Sequence, residues 1–264
     1  MVNTNSPIGF FDSGVGGTSI WKEVITRLPK EHTIYLSDSE NAPYGEKSKE
    51  QIIALCKKNT EFLLQKNCKI IVVACNTATT NAIDFLRNNY DIPFIGIEPA
   101  IKPAALNTKT KKIAILATKG TLNSTLFEKT SSIINKDIEV QETTGKGLVE
   151  LIEDGKLNSK EMTSLLSSYL KPMVVNNIDS LVLGCTHYPY LIPQIKKIIG
   201  EKIQIIDSGE AVARQTQVIL NKHNIANTHN NPQHIIYTNK DTAILQNLLS
   251  KCIPKNLRIL KAKF

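Results

Sequence analysis

KIIVVACNTAT, residues 69 to 79, is an apolar run that stops at a cysteine and turns polar at once. A run that continuous does not alternate between a wet and a dry face, so it reads as a strand buried on both sides. LVLGCTHYP, residues 181 to 189, repeats the pattern. In both, a cysteine leaves a buried strand and opens a helix-starting segment. Unpaired backbone N–H groups and the positive end of the helix dipole there favour thiolate over thiol. Two such thiols, Cys75 and Cys185, facing one pocket can remove a proton from one face of a molecule and return one to the other.

Working outward, similar runs occur at 8 to 11 (IGFF), 33 to 36 (TIYL), 94 to 97 (FIGI), 112 to 116 (KIAIL), 138 to 140 (IEV), 203 to 206 (IQII), 234 to 237 (HIIY) and 257 to 260 (LRIL). Helical patterns at 17 to 28, 48 to 66 and 77 to 89 lie between them. Strands alternating with helices predict a doubly wound α/β architecture of mostly parallel sheets, with ligands at the carboxyl ends of the strands. The chain also repeats weakly. IGFF ends at Asp12 and Ser13 with Cys75 following 63 residues after Asp12, and KIAIL runs into Ala117 and Thr118 with Cys185 following 67 after Thr118. Two similar halves are expected, and the turn around Glu98 and Pro99 is a plausible crossing. No Gly/Ser/Pro-rich linker marks a boundary.

The 264 residues suffice for one large or two smaller α/β domains, and two fits the repeat. The first residues, MVNTNSPIGFF, carry neither the basic start nor the long apolar stretch of a secretory signal, and IIVVACNTATTNAI is too polar to span a membrane. The sequence therefore predicts a cytoplasmic protein without a membrane partner. Its cysteines, Cys56, Cys68, Cys75, Cys185 and Cys252, are odd in number and lack paired metal-ligand spacing, which fits a reducing compartment. The net charge of +8 comes mostly from lysine, and KTKK (109 to 112) has no interleaved aromatics. A solvated lysine-rich surface suited to an acidic small molecule is favoured over a nucleic-acid partner.

DSGVGGTS (12 to 19) lies between a strand and a helix, where backbone N–H groups can hold an anion. Its nucleotide reading is weak: Ser19 stands where a third glycine would, and no GK[ST] ending appears. A carboxylate-binding or tight-turn loop is favoured. FFDSGVGG (10 to 17), APYGEKS (42 to 48), VVACNTAT (72 to 79) and LGCTHYP (183 to 189), in this order, resemble the glutamate racemase family, and IDSGEAVA (206 to 213) also fits. The resemblance covers most of the chain.

It implies two pseudo-symmetric α/β domains, residues 1 to 98 with 211 to 264 and residues 99 to 210, with the active site between them. It further implies cofactor-independent and metal-free interconversion of L- and D-glutamate, supplying D-glutamate for peptidoglycan, in a homodimer. Cys75 and Cys185 fall on the two acid/base positions, one poised as thiolate and the other as thiol. An unperturbed thiol, with a pKa of about 8.5, is only a few per cent thiolate near neutrality, so local assistance is expected. The auxiliary positions fall on Asp12, near Cys75, and on His187. Glu153 in GLVELIEDG is a further candidate, with Glu150 and Asp154 as competing alignments. Family members often carry a Cys-Pro pair just before it, where this chain has Thr144 and Gly145. Substrate contacts fall on Asp12, Ser13, Tyr44, Gly45, Asn76, Thr77, Thr186 and His187, and Thr121 in ATKGT adds a carboxylate contact. Hydroxyls, an amide and backbone N–H groups suit two carboxylates, and Asp12 or a neighbouring acceptor suits an ammonium group.

Cys56, Cys68 and Cys252 read as packing residues. His32, His223, His229 and His234 read as surface residues, and Asp12 can cap the turn that follows it. Relatives on this fold racemise aspartate or hydantoins or decarboxylate malonates, and the paired cysteines disfavour the decarboxylase. A noncatalytic binding protein, or a thiol redox or metal protein built on Cys75, Cys185 and His187, is the competing class. The lack of CxxC and the small ligand set argue against the redox and metal forms.

Overall fold

The computed structural model describes residues 3 to 97, 99 to 132, 134, 137 to 250, 254 and 256 to 264. Ten strands form among them: β1 (Ile8–Asp12), β2 (Thr33–Ser37), β3 (Ile70–Val73), β4 (Phe94–Gly96), β5 (Lys112–Ala117), β6 (Glu139–Thr144), β7 (Ser180–Gly184), β8 (Gln204–Ile206), β9 (His234–Thr238) and β10 (Leu257–Lys261). All pair in parallel. The first sheet runs β10-β9-β2-β1-β3-β4 and the second β6-β5-β7-β8. The order β2-β1-β3-β4 in one sheet is the order β6-β5-β7-β8 in the other. The sequence repeat is therefore a topological repeat, with β3 equivalent to β7 and Cys75 equivalent to Cys185.

Register then fixes where the loops emerge. Asp12 pairs with Ser37 and Phe11 with Val73, so the segments after β1, β2 and β3 leave the first sheet level with one another. Ala117 pairs with Gly184, so Thr118 and Cys185 leave the second sheet side by side. These are the carboxyl ends of the strands, where a doubly wound fold binds its ligands.

Every residue of β1, β2, β3 and β7 is buried, as continuous apolar runs require. β6 departs from its expected span: it begins at Glu139, leaves Ile138 out and continues to Thr144. As the outer strand beside β5 it is partly exposed along EVQETT, so polar residues suffice there and the apolar signal stops early.

Beyond β4, Pro99 is followed by the helix Ile101–Asn107, whose Ile101 and Ala104 pack with Ile113, Ile115 and Val182 of the second sheet. Glu98, the other half of the expected crossing, lies outside the described residues, as does Cys252. The chain returns after β8 through the helix Gly209–Lys222, which buries Val212, Ala213 and Leu220 in a cluster with Ile20, Trp21 and Val24. That cluster also holds Ile8 and Val72 of the first sheet and Leu116 and Leu183 of the second, so the two sheets share one apolar core. A buried ion pair fastens the far end of the first sheet: Lys69 Nζ lies 2.6 Å from Glu31 Oε2. Glu31 Oε1 in turn accepts the N–H of Asn227.

Two histidine and cysteine readings are settled by packing. Cys56 and Cys68 are buried core residues. His234, expected at the surface, is buried against Trp21 and Thr33 at the start of β9.

Candidate active site

Cys75 caps the helix Asn76–Asn89, and its sulfur accepts the N–H of Ala78 at 3.4 Å. The helix-start geometry is as the sequence predicts, but its electrostatic outcome is not. Burial pushes the Cys75 thiol well above the usual range, the nearby Asp12 charge adds to this, and the donors at Ala78 and Ser13 only partly offset it. A sulfur enclosed on all sides loses more hydration than one helix terminus returns. Cys75 rests here as a thiol, 3.8 Å from Ser13 Oγ.

Cys185 has a different setting. A 3-10 turn, Tyr188–Leu191, separates it from the helix Ile192–Ile199, so no α-helix begins at the sulfur. Its neighbour is His187, whose Nδ1 lies 3.7 Å from Cys185 Sγ and whose Nε2 lies 2.6 Å from Glu153 Oε1. Burial pulls the His187 pKa down, but Cys185 and Glu153 outweigh it and leave the imidazole well above its usual value. For Glu153 burial raises the pKa, and His187, the Val15 N–H and Ser39 together bring it below the usual carboxylate value. The arrangement is a sulfur–imidazole–carboxylate line. Of the three candidate carboxylates, Glu150 and Asp154 are exposed while Glu153 is buried against His187.

The glycine-rich loop after β1 does hold anions, and they are the chain's own. Asp12 Oδ2 accepts the N–H groups of Gly14 and Gly17 at 3.1 and 3.0 Å, and Val15 N–H donates to Glu153 Oε1 at 2.6 Å. The expected site for an external carboxylate in this loop is thus filled from within. Glycine is needed because a Cβ at Gly14 would collide with the Glu153 carboxylate and one at Gly16 with the His187 ring. Asp12 is fully buried, its pKa raised by burial, and its Oδ1 accepts the Thr186 hydroxyl at 3.2 Å. Asp12 thus caps the turn, while its charge pushes the Cys75 thiol further up.

Between these groups lies a narrow cavity. Cys75, Asn76 and Thr77 line one side, Cys185, Thr186 and His187 the other, and Ser13, Tyr44 and Gly45 close it. Asp12, Glu153 and Thr121 stand one hydrogen bond behind the lining. Asn76 is 3% exposed, and neither its Oδ1 nor its Nδ2 has a partner. Such an amide is costly unless a ligand completes it.

Sequence reading missed Thr118, which also lines the cavity and joins a hydroxyl triangle, 2.8 Å from Thr77 and 3.0 Å from Thr121. Its place directly after β5, matching Ser13 directly after β1, was the available signal. The departure at Thr144 and Gly145 has a local reason: Gly145 accepts the Tyr188 hydroxyl at its carbonyl, and a Cβ there would strike that hydroxyl.

The model of the family described as Asp/Glu/Hydantoin racemase matches residues 13–216. A glutamate racemase of Herpetosiphon aurantiacus is 44% identical over 216 residues, covering 82% of this chain and 85% of that protein. The solved glutamate racemase isoform of Bacillus anthracis is 33% identical with a TM-score of 0.87, covering 98% of both chains. That of Escherichia coli, solved with L-glutamate and the activator UDP-MurNAc-ala, is 31% identical with a TM-score of 0.85 and covers 97% of both. With its paired cysteines at equivalent strand ends and this likeness along nearly its whole length, the chain belongs to the Asp/Glu/Hydantoin racemase family, alongside its glutamate racemases.

Proposed function

We propose that this protein interconverts L- and D-glutamate by proton transfer at Cα between two thiols. The observation that carries the reading is that Cys75 and Cys185, each ending an equivalent strand, line one small cavity together with an unpartnered buried amide. Abstraction at Cα builds negative charge beside an existing carboxylate, so the site must supply preorganised donors, and Asn76, Thr77, Thr118 and Thr186 are of the right type. The thiolate of one cysteine takes the Cα proton, and the thiol of the other returns one to the opposite face. Asp12 tunes Cys75 through its charge, and His187, oriented by Glu153, serves Cys185 in both directions. Ser13, Tyr44, Gly45 and Thr121 complete the hold on the substrate's carboxylates.

Among the described residues no helix is long and apolar enough to cross a membrane. The same reading makes the protein a cytoplasmic homodimer that needs no cofactor and supplies D-glutamate for peptidoglycan. It divides the chain into residues 1 to 98 with 211 to 264 and residues 99 to 210. The test is a circular-dichroism assay of purified protein with L-glutamate and with L-aspartate, after dialysis against chelator and with no cofactor added. Optical rotation should decay with glutamate. Racemisation of aspartate alone overturns the substrate, and activity that returns only with pyridoxal phosphate or metal overturns the chemistry.

A further inference from the structure

Asp38 is fully buried just beyond β2 and lies outside the cavity, so the reaction scheme gives it no part. Its carboxylate nevertheless accepts from three side chains: the Tyr44 hydroxyl at 2.5 Å on Oδ2, and Asn41 Nδ2 at 2.8 Å and Asn239 Nδ2 at 2.5 Å on Oδ1. Its own N–H donates to the Asp12 carbonyl at 3.1 Å. Asn239 follows β9 directly and also accepts the Glu40 N–H at 2.9 Å. The returning C-terminal segment is thereby tied to the wall of the cavity through one carboxylate.

What that wall can offer a ligand follows from where the Tyr44 hydroxyl goes. It is occupied by Asp38 and by Asn59 Nδ2 at 3.2 Å, so it is unavailable inside the cavity. Residues Tyr44–Glu46 form a 3-10 turn, and the first N–H groups of such a turn have no partner within it. We propose that Asp38 is a positioning residue for substrate binding: braced by Asn239, it holds Tyr44 so that the N–H groups of Tyr44 and Gly45 face a substrate carboxylate. The proposal rests on the glutamate reading above. A carboxylate is required at this place because all three partners donate. An amide of the same shape would turn a donor either on the Tyr44 hydroxyl or on the two asparagine amides.

Asp38→Asn and Tyr44→Phe test this from the two ends of one bond. Each should raise KM for both enantiomers about tenfold while leaving kcat nearly unchanged, as expected for lost ground-state and transition-state binding alike. In the double variant the two effects should not multiply. Hydrogen exchange of residues 42 to 46 should quicken in both variants while the helix Gly209–Lys222 stays protected. Tyr44→Phe removes only a hydroxyl and decides the matter if Asp38→Asn fails to fold. Unchanged KM and exchange in a folded variant, or effects that multiply, overturn the proposal. Failure of the wild type to turn over glutamate would defeat the functional reading instead, and the exchange measurement would still decide the brace.

Discussion

Cys56, Cys68 and Cys75 lie in the same apolar cluster and differ in what surrounds the sulfur. Burial alone pushes Cys68 up to about 12, and Cys56 is pushed up by burial and by Asp38. Cys75 is raised by burial too, but it alone of the three has hydrogen-bond partners, Ala78 and Ser13, that partly offset the rise, and it alone lines the cavity. Replacing Cys75 or Cys185 with alanine should therefore lower racemisation by about 10²–10⁴ or more, the usual worth of a positioned acid or base. Alanine at Cys56 should leave turnover close to wild type in protein that remains folded. Steady-state rates beside thermal melts of the same preparations check both. At this scale the sequence showed the groups that do chemistry, because Asp, Cys and His at strand ends are informative by type. It did not show Asp38 or Thr118, whose roles depend on partners distant in the chain, such as Asn239 and Thr77. Nor did it show that enclosure would outweigh the helix terminus at Cys75.

Strands were the most legible elements, because a doubly covered parallel strand announces itself by an unbroken apolar run. β6, whose exposed side needs no apolar residues, was legible only where it begins. β9 misled in another way. His234 opens it as a polar residue and reads as a surface group, yet the ring packs edge-on against Trp21, 5.7 Å between centroids, with Nδ1 2.8 Å from Thr33 Oγ1. Burial, with a smaller contribution from His32, lowers its pKa from 6.5 to about 4. The folded state thus resists a proton that the unfolded chain accepts below about 6.5. Stability from this group is full above that pH and declines as pH falls toward 4. Thermal melts should show the midpoint dropping across that window, with a shallower drop in His234→Asn. An imidazole that titrates by NMR near 6.5 in the folded protein would contradict the assignment.

Over the whole molecule, two copies of one topology face each other across the cavity, and they touch at backbone. Gly120, in the short helix Lys119–Leu122 of the second half, would place a Cβ 2.9 Å from Thr77 Cγ2 and 3.1 Å from the Gly45 Cα and carbonyl oxygen of the first. Alanine gains at most about 1 kcal/mol of helix propensity over glycine, and a methyl forced into such a contact costs about 1–3 kcal/mol, so Gly120→Ala should not stabilise the fold. It should instead wedge the halves apart and raise KM for glutamate. A variant with unaltered KM would show that this contact does not govern closure.

The same two-sided construction makes a stereochemical claim, because two bases on opposite faces leave a different isotopic record from one base that both removes and returns the proton. In heavy water, L-glutamate converted early in the reaction should give D-glutamate deuterated at Cα, since the returning thiol carries solvent deuterium. The unreacted L-glutamate should stay mostly protiated, since the thiol on its own face gives its captured proton up to solvent only after product forms. Starting from D-glutamate should give the mirror result. The two directions need not run at equal rates, because Cys75 is served by Asp12 and Ser13 while Cys185 is served by His187 and Glu153. Mass spectrometry of the separated enantiomers at low conversion reads this directly. Product that keeps the original proton, or a substrate pool that exchanges far faster than it racemises, would require a single base serving both faces, and the equivalence of the two strand ends would then carry no mechanistic meaning.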